Sequence, residues 1–149
     1  MQRSTRWIVA VVVLIIAGLA LAGCGQSSTA AAKKIQPATV EKIDGSEFNR
    51  LVLTEKAAQR LTIQTAPVSE EQVNGAQRKV IPYAALVYGL KGETWMYTNP
   101  APLTFVRERI TVDYIEGDKV VLKDGPAAGT VIVTVGVPEL YGTDTGIGK

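Results

Sequence analysis

The sequence predicts a mainly all-β protein, a small antiparallel β-roll or sandwich with one short helix near residues 54–61. Apolar and polar residues alternate with a period of two in short runs such as residues 61–65, which is typical of a strand with one solvated face. Asn74-Gly75 separates two such runs, and this dipeptide favours the tight type I′ turn of a β-hairpin. Turn-forming residues also recur throughout the second half of the chain, as small all-β domains require.

The individual elements follow from local signals, taken in chain order. Thr54 can cap a helix, and good helix formers follow it, which predicts the helix over residues 54–61. A hairpin is expected to pair residues 63–73 with residues 76–87, and Pro82 places the second strand at a sheet edge or a bulge. Apolar runs bounded by turn residues predict further strands at residues 94–98, 103–115, 119–123 and 130–135.

The N-terminus has the layout of a bacterial lipoprotein signal peptide. Two arginines precede an almost unbroken apolar stretch at residues 7–21, and residues 21–24 read Leu-Ala-Gly-Cys. This pattern predicts cleavage between Gly23 and Cys24 and lipidation of the Cys24 thiol, so that acyl chains hold the mature protein on a membrane. Each buried methylene contributes about 0.8 kcal/mol to such anchoring. An uncleaved membrane anchor and a plain secreted protein are the alternatives, but the apolar run is shorter than the roughly 20 residues that span a bilayer.

Three segments result: a signal peptide at residues 1–23, a flexible tether at residues 24–39 and a single β domain at residues 40–149. The tether is predicted from its small and polar residues, which offer nothing to bury. About 110 residues remain for the domain, which suits one hydrophobic core. The expected location is the cell envelope, with the protein lipid-anchored on the extracytoplasmic face of a bacterial membrane. Gly25 allows sorting to an outer membrane.

Composition excludes several classes of function. Removing the signal leaves 14 basic residues against 14 acidic ones, and they are interspersed, so no basic stripe favours nucleic acid. Histidine is absent and the single cysteine is assigned to lipid, which removes the usual ligands of zinc and copper. The same shortage leaves no Ser-His or Cys-His pair. The sequence therefore predicts a non-catalytic protein with no metal site, no cofactor and no nucleic-acid partner.

The candidate partner-binding residues lie on two predicted strands. Strand alternation places Trp95 and Tyr97 on one face and Met96 on the other, so burial of Met96 would expose both rings. Arg107 and Arg109 share a side of the next strand and are able to meet an acidic surface. The alternative is that the rings are core residues and the arginines a solvated face. Exposed rings on a shallow face would favour protein docking, and rings lining a deep cleft would favour a small ligand.

Residues 80–86 read Val-Ile-Pro-Tyr-Ala-Ala-Leu and are one of several short motifs that follow one another along the domain. This run is similar to the "V-I-P-x-x-A-L" strand of periplasmic adaptor proteins, also called membrane fusion proteins, of efflux systems. Residues 53–68 resemble the "L-T-x-x-x-x-x-x-L-G-I-x-T-x-x-V" segment, with Thr62 in place of the usual glycine. The later pieces that follow the family's order are residues 94–97, 105–112, 117–122, 123–133 and 138–142.

The resemblance implies the membrane-proximal domain of an adaptor on its own. A full adaptor inserts a lipoyl-like domain, usually a helical hairpin, and a β-barrel where this chain has only residues 69–77. Such a domain docks on an inner-membrane transporter, so the resemblance implies an adaptor-like subunit of an efflux or export system. Its partners would be a transporter or larger adaptor subunit, together with other copies of itself if it assembles as full adaptors do. The alternative is an envelope lipoprotein that binds a small ligand or a cell-wall component.

Overall fold

The computed structural model describes residues 36–147, which fold into a mainly antiparallel β structure and confirm the predicted fold class. The signal peptide, Cys24 and most of the predicted tether lie outside the described residues. The elements are strands β1 (Ala38–Lys42), β2 (Asn49–Leu53), β3 (Gln64–Pro67), β4 (Ser69–Val73), β5 (Ala76–Pro82), β6 (Val87–Tyr88), β7 (Thr94–Ala101), β8 (Thr104–Glu116), β9 (Lys119–Asp124) and β10 (Val131–Val135), helices α1 (Glu55–Arg60) and α2 (Val137–Thr145), and a 3-10 turn at Tyr83–Ala85.

The strands form one strongly curled sheet in the order β3-β10-β7-β8-β9-β5-β4. Strands β3 and β4 lie at opposite ends of this order, yet only Val68 separates them in the chain. The sheet therefore curls round until its two end strands are consecutive parts of one segment. The long strand β8 contributes its first half to the pairing with β7 and β2 and its second half to the pairing with β9. Strands β1 and β6 extend the sheet beyond β2 and β7.

The predicted Asn74-Gly75 turn connects β4 to β5. Both residues have positive φ, at 52° and 81°, and Val73 pairs with Ala76 across the turn. A positive φ at both central positions is the requirement of a type I′ turn. The predicted pairing of residues 63–73 with 76–87 is too long, because β3 turns away at Val68 and pairs with β10 instead. Pro82 ends β5, opposite Lys119 of β9 and beyond the last pair with β4.

Two hydrophobic cores lie on opposite faces of the sheet. The core within the curl contains Val68, Ile81, Ala85, Met96, Ile110, Val120, Leu122 and Ile132. The core on the outer face is covered by both helices and contains Leu51, Leu53, Ala57, Val87, Tyr97, Phe105, Val133, Val137 and Leu140. Because β7 and β10 contribute to both cores, both of their faces are buried at Met96-Tyr97 and at Ile132-Val133.

Strands β1 and β2 and helix α2 are not among the sequence-based expectations. Strand β1 begins at Ala38, within the last residues of the predicted tether, and the single predicted helix near residues 54–61 is joined by α2. Helix α1 has the expected cap, in which the Ala57 amide donates to Thr54 Oγ1 at 3.2 Å. Helix α2 starts after Gly136, whose φ of 88° suits glycine, and it buries Leu140 and Asp144.

Candidate docking surface

The structure brings the four predicted partner-binding residues together on the outer face of the sheet. Trp95 of β7 pairs with Arg109 of β8, and Tyr97 pairs with Arg107 in the same register. Residues directly opposite on an antiparallel pair share a face, so all four side chains project from the face that α2 covers. Their exposure differs strongly, and this divides them into structural residues and surface residues.

Tyr97 is fully buried, so the expectation that it presents a ring to a partner is wrong. The prediction assumed that one face of β7 is solvated, so that burial of Met96 exposes its neighbours. Both Met96 and Tyr97 are fully buried because β7 lies between the two cores. Arg107 is also mostly buried, with 13% of its side chain exposed. Trp95 is partly exposed, whereas the Arg109 side chain is 54% exposed.

A buried carboxylate joins this face of the sheet to helix α2. Asp144 has no exposed side-chain surface, and Tyr97 Oη donates a hydrogen bond to its Oδ2 at 3.0 Å. Asn49 Nδ2 donates to Asp144 Oδ1 at 2.9 Å. Arg107 Nε lies 3.1 Å from Oδ2 at ion-pair distance, but its N–H is not aligned for a hydrogen bond. The carboxylate therefore connects β2, β7 and β8 to the C-terminal helix.

Burial and the same network raise the pKa of the Tyr97 hydroxyl above its ordinary value. Burial is the largest cause, because a phenolate would lose its hydration. The Asp144 carboxylate adds to the effect, since it repels a second negative charge and accepts the hydroxyl proton. The nearby Arg107 guanidinium acts in the opposite direction without reversing the shift. Tyr97 is consequently a neutral hydrogen-bond donor at physiological pH.

Arg107 is surrounded by aromatic rings. Its guanidinium carbon lies 4.9 Å from the ring centroids of Phe48 and Trp95 and 5.7 Å from that of Tyr141. The rings of Phe48 and Trp95 meet edge to face, with centroids 6.4 Å apart and planes at 80°. A cation over an aromatic face is attracted by the ring quadrupole, by about 0.5–2 kcal/mol depending on its desolvation. Arg107 thus fixes three rings that come from distant parts of the chain.

These contacts create a partly exposed patch, which we call the aromatic–arginine surface and define as Phe48, Trp95, Arg107, Arg109 and Tyr141. The three rings are each half-buried, so they keep an outer edge in solvent. At the rim, Arg109 Nη2 donates to Glu47 Oε1 at 2.7 Å in an exposed ion pair. Sequence reasoning missed Phe48, Tyr141 and Asp144, because no local pattern links them to the β7–β8 pair.

The β6–β7 connection packs against the Trp95 indole. A Cβ added to Gly89 would lie 2.3 Å from Trp95 Cη2 and 2.5 Å from Cζ3, so this position has room for glycine alone. The indole Nε1 of Trp95 is buried and has no hydrogen-bond partner within residues 36–147. The ring is therefore held between Gly89, Phe48 and Arg107 by packing.

An open groove of about 470 Å³ lies elsewhere on the surface, and it holds none of the aromatic candidates. It is lined by Glu55, Ala58, Gln59, Thr62, Ile63, Gln64 and Leu103.

Within residues 36–147, no three acidic, cysteine or histidine side chains come close enough to hold a metal ion. In the same part of the chain, no helix has the length and apolar character needed to cross a bilayer.

The aromatic–arginine surface combines three partly exposed rings with a charged rim. A patch of this composition offers contact area and a few directional charges to another macromolecule. Comparisons with protein-family models, with curated proteins and with solved structures find no match for this chain.

Proposed function

We propose that this chain is a non-catalytic, lipid-anchored, adaptor-like subunit that docks on an export transporter or on a larger adaptor subunit. The observation that supports docking most directly is the aromatic–arginine surface, in which Trp95 and Tyr141 stand beside Arg107. Trp, Tyr and Arg are the residues that most often dominate the energy of protein–protein interfaces. The outer edges of Trp95 and Tyr141 are exposed, while the mostly buried Arg107 between them is paired with Asp144 from below.

A rigid patch suits docking because little conformational entropy is lost when a partner binds. Immobilising a free side chain costs about 0.5–1.5 kcal/mol on association, and rings already held by Arg107 avoid most of that cost. The exposed Glu47–Arg109 pair at the rim adds charges of both signs. Rim charges of this kind select a partner and its orientation more than they add affinity.

Lipid anchorage and the adaptor resemblance supply the partner class within this proposal. A lipoprotein with acylated Cys24 is confined to a membrane surface, where the extracytoplasmic parts of transporters are also found. Confinement to one membrane raises the effective concentration of the two partners, so even a small interface is enough for them to associate. The ligand-binding alternative is less well supported, because the three rings of the aromatic–arginine surface do not line the groove beside Ile63.

The proposal is tested by affinity capture from detergent-solubilised native membranes, with the full-length lipoprotein as bait. Wild type is expected to recover a membrane transporter or a larger adaptor, and Cys24→Ala is expected to lose it through mislocalisation. Trp95→Ala and Arg109→Glu should each reduce recovery at least several-fold. Ile115→Ala is the matched control, since Ile115 is 41% exposed and lies on the far half of β8.

A charge swap separates docking from folding. The double variant Glu47→Arg with Arg109→Glu keeps an ion pair within the chain but exchanges the positions of its charges. If Arg109 contacts a partner, the double variant folds normally and still fails to recover it. Recovery of no membrane protein by wild type, or equal recovery by all variants, would contradict the proposal.

A further inference from the structure

The turn between β6 and β7 carries an exposed apolar tip. Leu90 at this turn is fully exposed, which is unusual for a large aliphatic side chain in a small domain. Tyr88, at the end of β6, is 52% exposed, and Tyr83 in the preceding 3-10 turn is 47% exposed. Partial loss of hydration and the neighbouring Tyr83 hydroxyl raise the pKa of the Tyr88 hydroxyl.

We propose that this tip, formed by Tyr83, Tyr88 and Leu90, is a second membrane contact that enters the interface of the bilayer carrying the lipid anchor. The inference rests on the lipid anchorage in the proposed function. Tyrosine rings favour the headgroup level, where the ring is partly buried and the hydroxyl stays hydrated. Leu90 is placed to reach the acyl boundary, and the adjacent Lys91 ammonium can extend toward lipid phosphates.

The shape of the tip favours a bilayer over a protein partner. Stable protein interfaces bury about 800 Å² on each side and need a complementary surface. Leu90 stands on a narrow, convex turn between Gly89 and Gly92, with the Gly92 amide bonded back to the Gly89 carbonyl at 3.2 Å. A bilayer needs no matching pocket, because lipids rearrange around a single inserted side chain.

The chain between the anchor and the domain is long enough for this contact. The described chain enters beside Thr54, whose amide donates to the Pro37 carbonyl at 2.9 Å. This entry lies near the Thr104 end of β8, whereas the tip lies near Ile110, which pairs with Thr94. Six strand residues separate the two levels by about 20 Å. The thirteen Cα-to-Cα steps from Cys24 to Pro37 span at most about 45 Å, so the tip is able to reach the anchored membrane.

Membrane contact at the tip would set the height of the aromatic–arginine surface. Gly89 lies directly against Trp95, so the tip and this surface are neighbours on the molecule. With Leu90 in the bilayer interface, Trp95 would lie just above the headgroups. That is the level at which membrane transporters expose their extracytoplasmic loops.

The test uses full-length, acylated protein reconstituted into protein-free phosphatidylethanolamine and phosphatidylglycerol liposomes. Leu90→Cys is labelled with an environment-sensitive NBD fluorophore, and the acylated Cys24 leaves it as the free thiol. Val131→Cys is the matched control, because Val131 is 40% exposed and its neighbour Ile132 pairs near the other end of β7. The expected result is a blue-shifted emission at position 90 that spin-labelled lipids quench at least two-fold, with neither effect at position 131.

Flotation of the liposomes is measured in parallel, so that failure of the anchor is distinguished from failure of the tip. Protein that does not float overturns anchorage and therefore this inference with it. Protein that floats with a water-exposed label at position 90 overturns the inference alone. A blue shift that lipids do not quench and that grows with protein density identifies a second copy as the occupant. The same labelled protein is also measured in native membranes, and a blue shift seen only there identifies a protein partner as the occupant. Occupancy by a second copy and occupancy by a protein partner both contradict a bilayer contact.

Discussion

At the residue scale, Asp144 is the group on which the outer face of the sheet most depends. A buried carboxylate is strongly disfavoured unless it is paired and hydrogen-bonded. Asp144 meets this requirement through Tyr97, Asn49 and Arg107, which come from three different strands. The energetic importance of the network lies less in its net contribution than in the cost of removing one member.

Replacing Asp144 is therefore expected to be strongly destabilising. Asp144→Ala leaves the Arg107 guanidinium without its counter-ion and two donors without an acceptor, at a cost of about 3–5 kcal/mol. Urea unfolding followed by circular dichroism measures this loss. Asp44→Ala is the control, because Asp44 is exposed in the β1–β2 loop and should change stability by less than about 0.5 kcal/mol. Equal effects of the two substitutions would contradict the network.

Tyr97 leads to a prediction about alkaline pH. Its pKa is higher in the folded protein than in the unfolded chain, so the fold favours the neutral phenol. The stabilisation is complete below the unfolded pKa of about 10 and is lost progressively as the pH rises above it. The wild-type melting temperature should therefore fall steeply as the pH rises above about 10.

Tyr97→Phe is the variant that isolates this effect. It loses one hydrogen bond to a charged acceptor, worth about 1.5–3 kcal/mol near pH 7, and its melting temperature should fall less steeply above pH 10. Lys119, whose pKa is raised by Glu71, also loses stabilisation at high pH, but it is present in both proteins. Parallel pH profiles for wild type and variant would show that Tyr97 is not the titrating group.

At the scale of elements, the β4–β5 turn is the feature that the sequence predicts best. Gly75 adopts a φ of 81°, which is strained for any residue with a Cβ even where space is free. Gly75→Ala should lower the free energy of unfolding by about 1 kcal/mol without changing the dependence on denaturant. Denaturant titration of this variant beside Gly142→Ala, at a helical glycine of ordinary φ, provides the comparison. A loss at position 142 alone would contradict the turn assignment.

Helix α2 shows why other elements were not predictable from local pattern. It has nine residues, begins near a proline and contains Gly142 and three threonines or aspartates of low helix propensity. A helix of that length is marginal in water by itself and forms here because Val137 and Leu140 pack on the outer core. Its formation depends on residues distant in sequence, such as Asn49, which bonds to Asp144 across 95 positions.

The packing role of α2 predicts the result of truncation. A chain ending at Gly136 exposes Leu51, Tyr97 and their neighbours on the outer core, so it should lose cooperative unfolding and bind a hydrophobic dye such as ANS. A chain ending at Gly146 retains the helix and serves as the control. Near-ultraviolet circular dichroism then reports whether fixed tertiary packing is kept. Native packing in the shorter chain would show that α2 is not needed for the fold.

The candidate site was predictable only in part, for the same reason. Strand alternation placed Trp95 with Tyr97 on one side of a strand and Arg107 with Arg109 on one side of the next. It did not predict that the two pairs share a face, which follows from the pairing of β7 with β8. Alternation does not reveal which faces are covered, and β7 is covered on both because helix and curl enclose it. Phe48 and Tyr141 reach the site from a loop and a helix that local patterns did not identify. The prediction thus named three of the five residues of the aromatic–arginine surface, Trp95, Arg107 and Arg109.

At the scale of the whole molecule, the fold separates a structural core from a surface available for contact. The curled sheet has its own interior core, while its outer face holds the aromatic–arginine surface between helix α2 and the β6–β7 turn. The proposed lipid anchor would confine the domain to a membrane, the tip would orient it, and the surface would meet a membrane partner. A different part of the chain is proposed for each of these three roles, and each role has its own test.

The most direct test of docking is site-specific photo-crosslinking in living cells of the source organism. A benzophenone amino acid replaces Tyr141, whose half-buried ring lies at the edge of the aromatic–arginine surface. The same replacement at Ile115 is the control. Docking predicts that the probe at position 141 forms an adduct which mass spectrometry identifies as an integral membrane transporter or a larger adaptor, with no such adduct at position 115. Adducts of equal yield at both positions, or none at position 141, would contradict it.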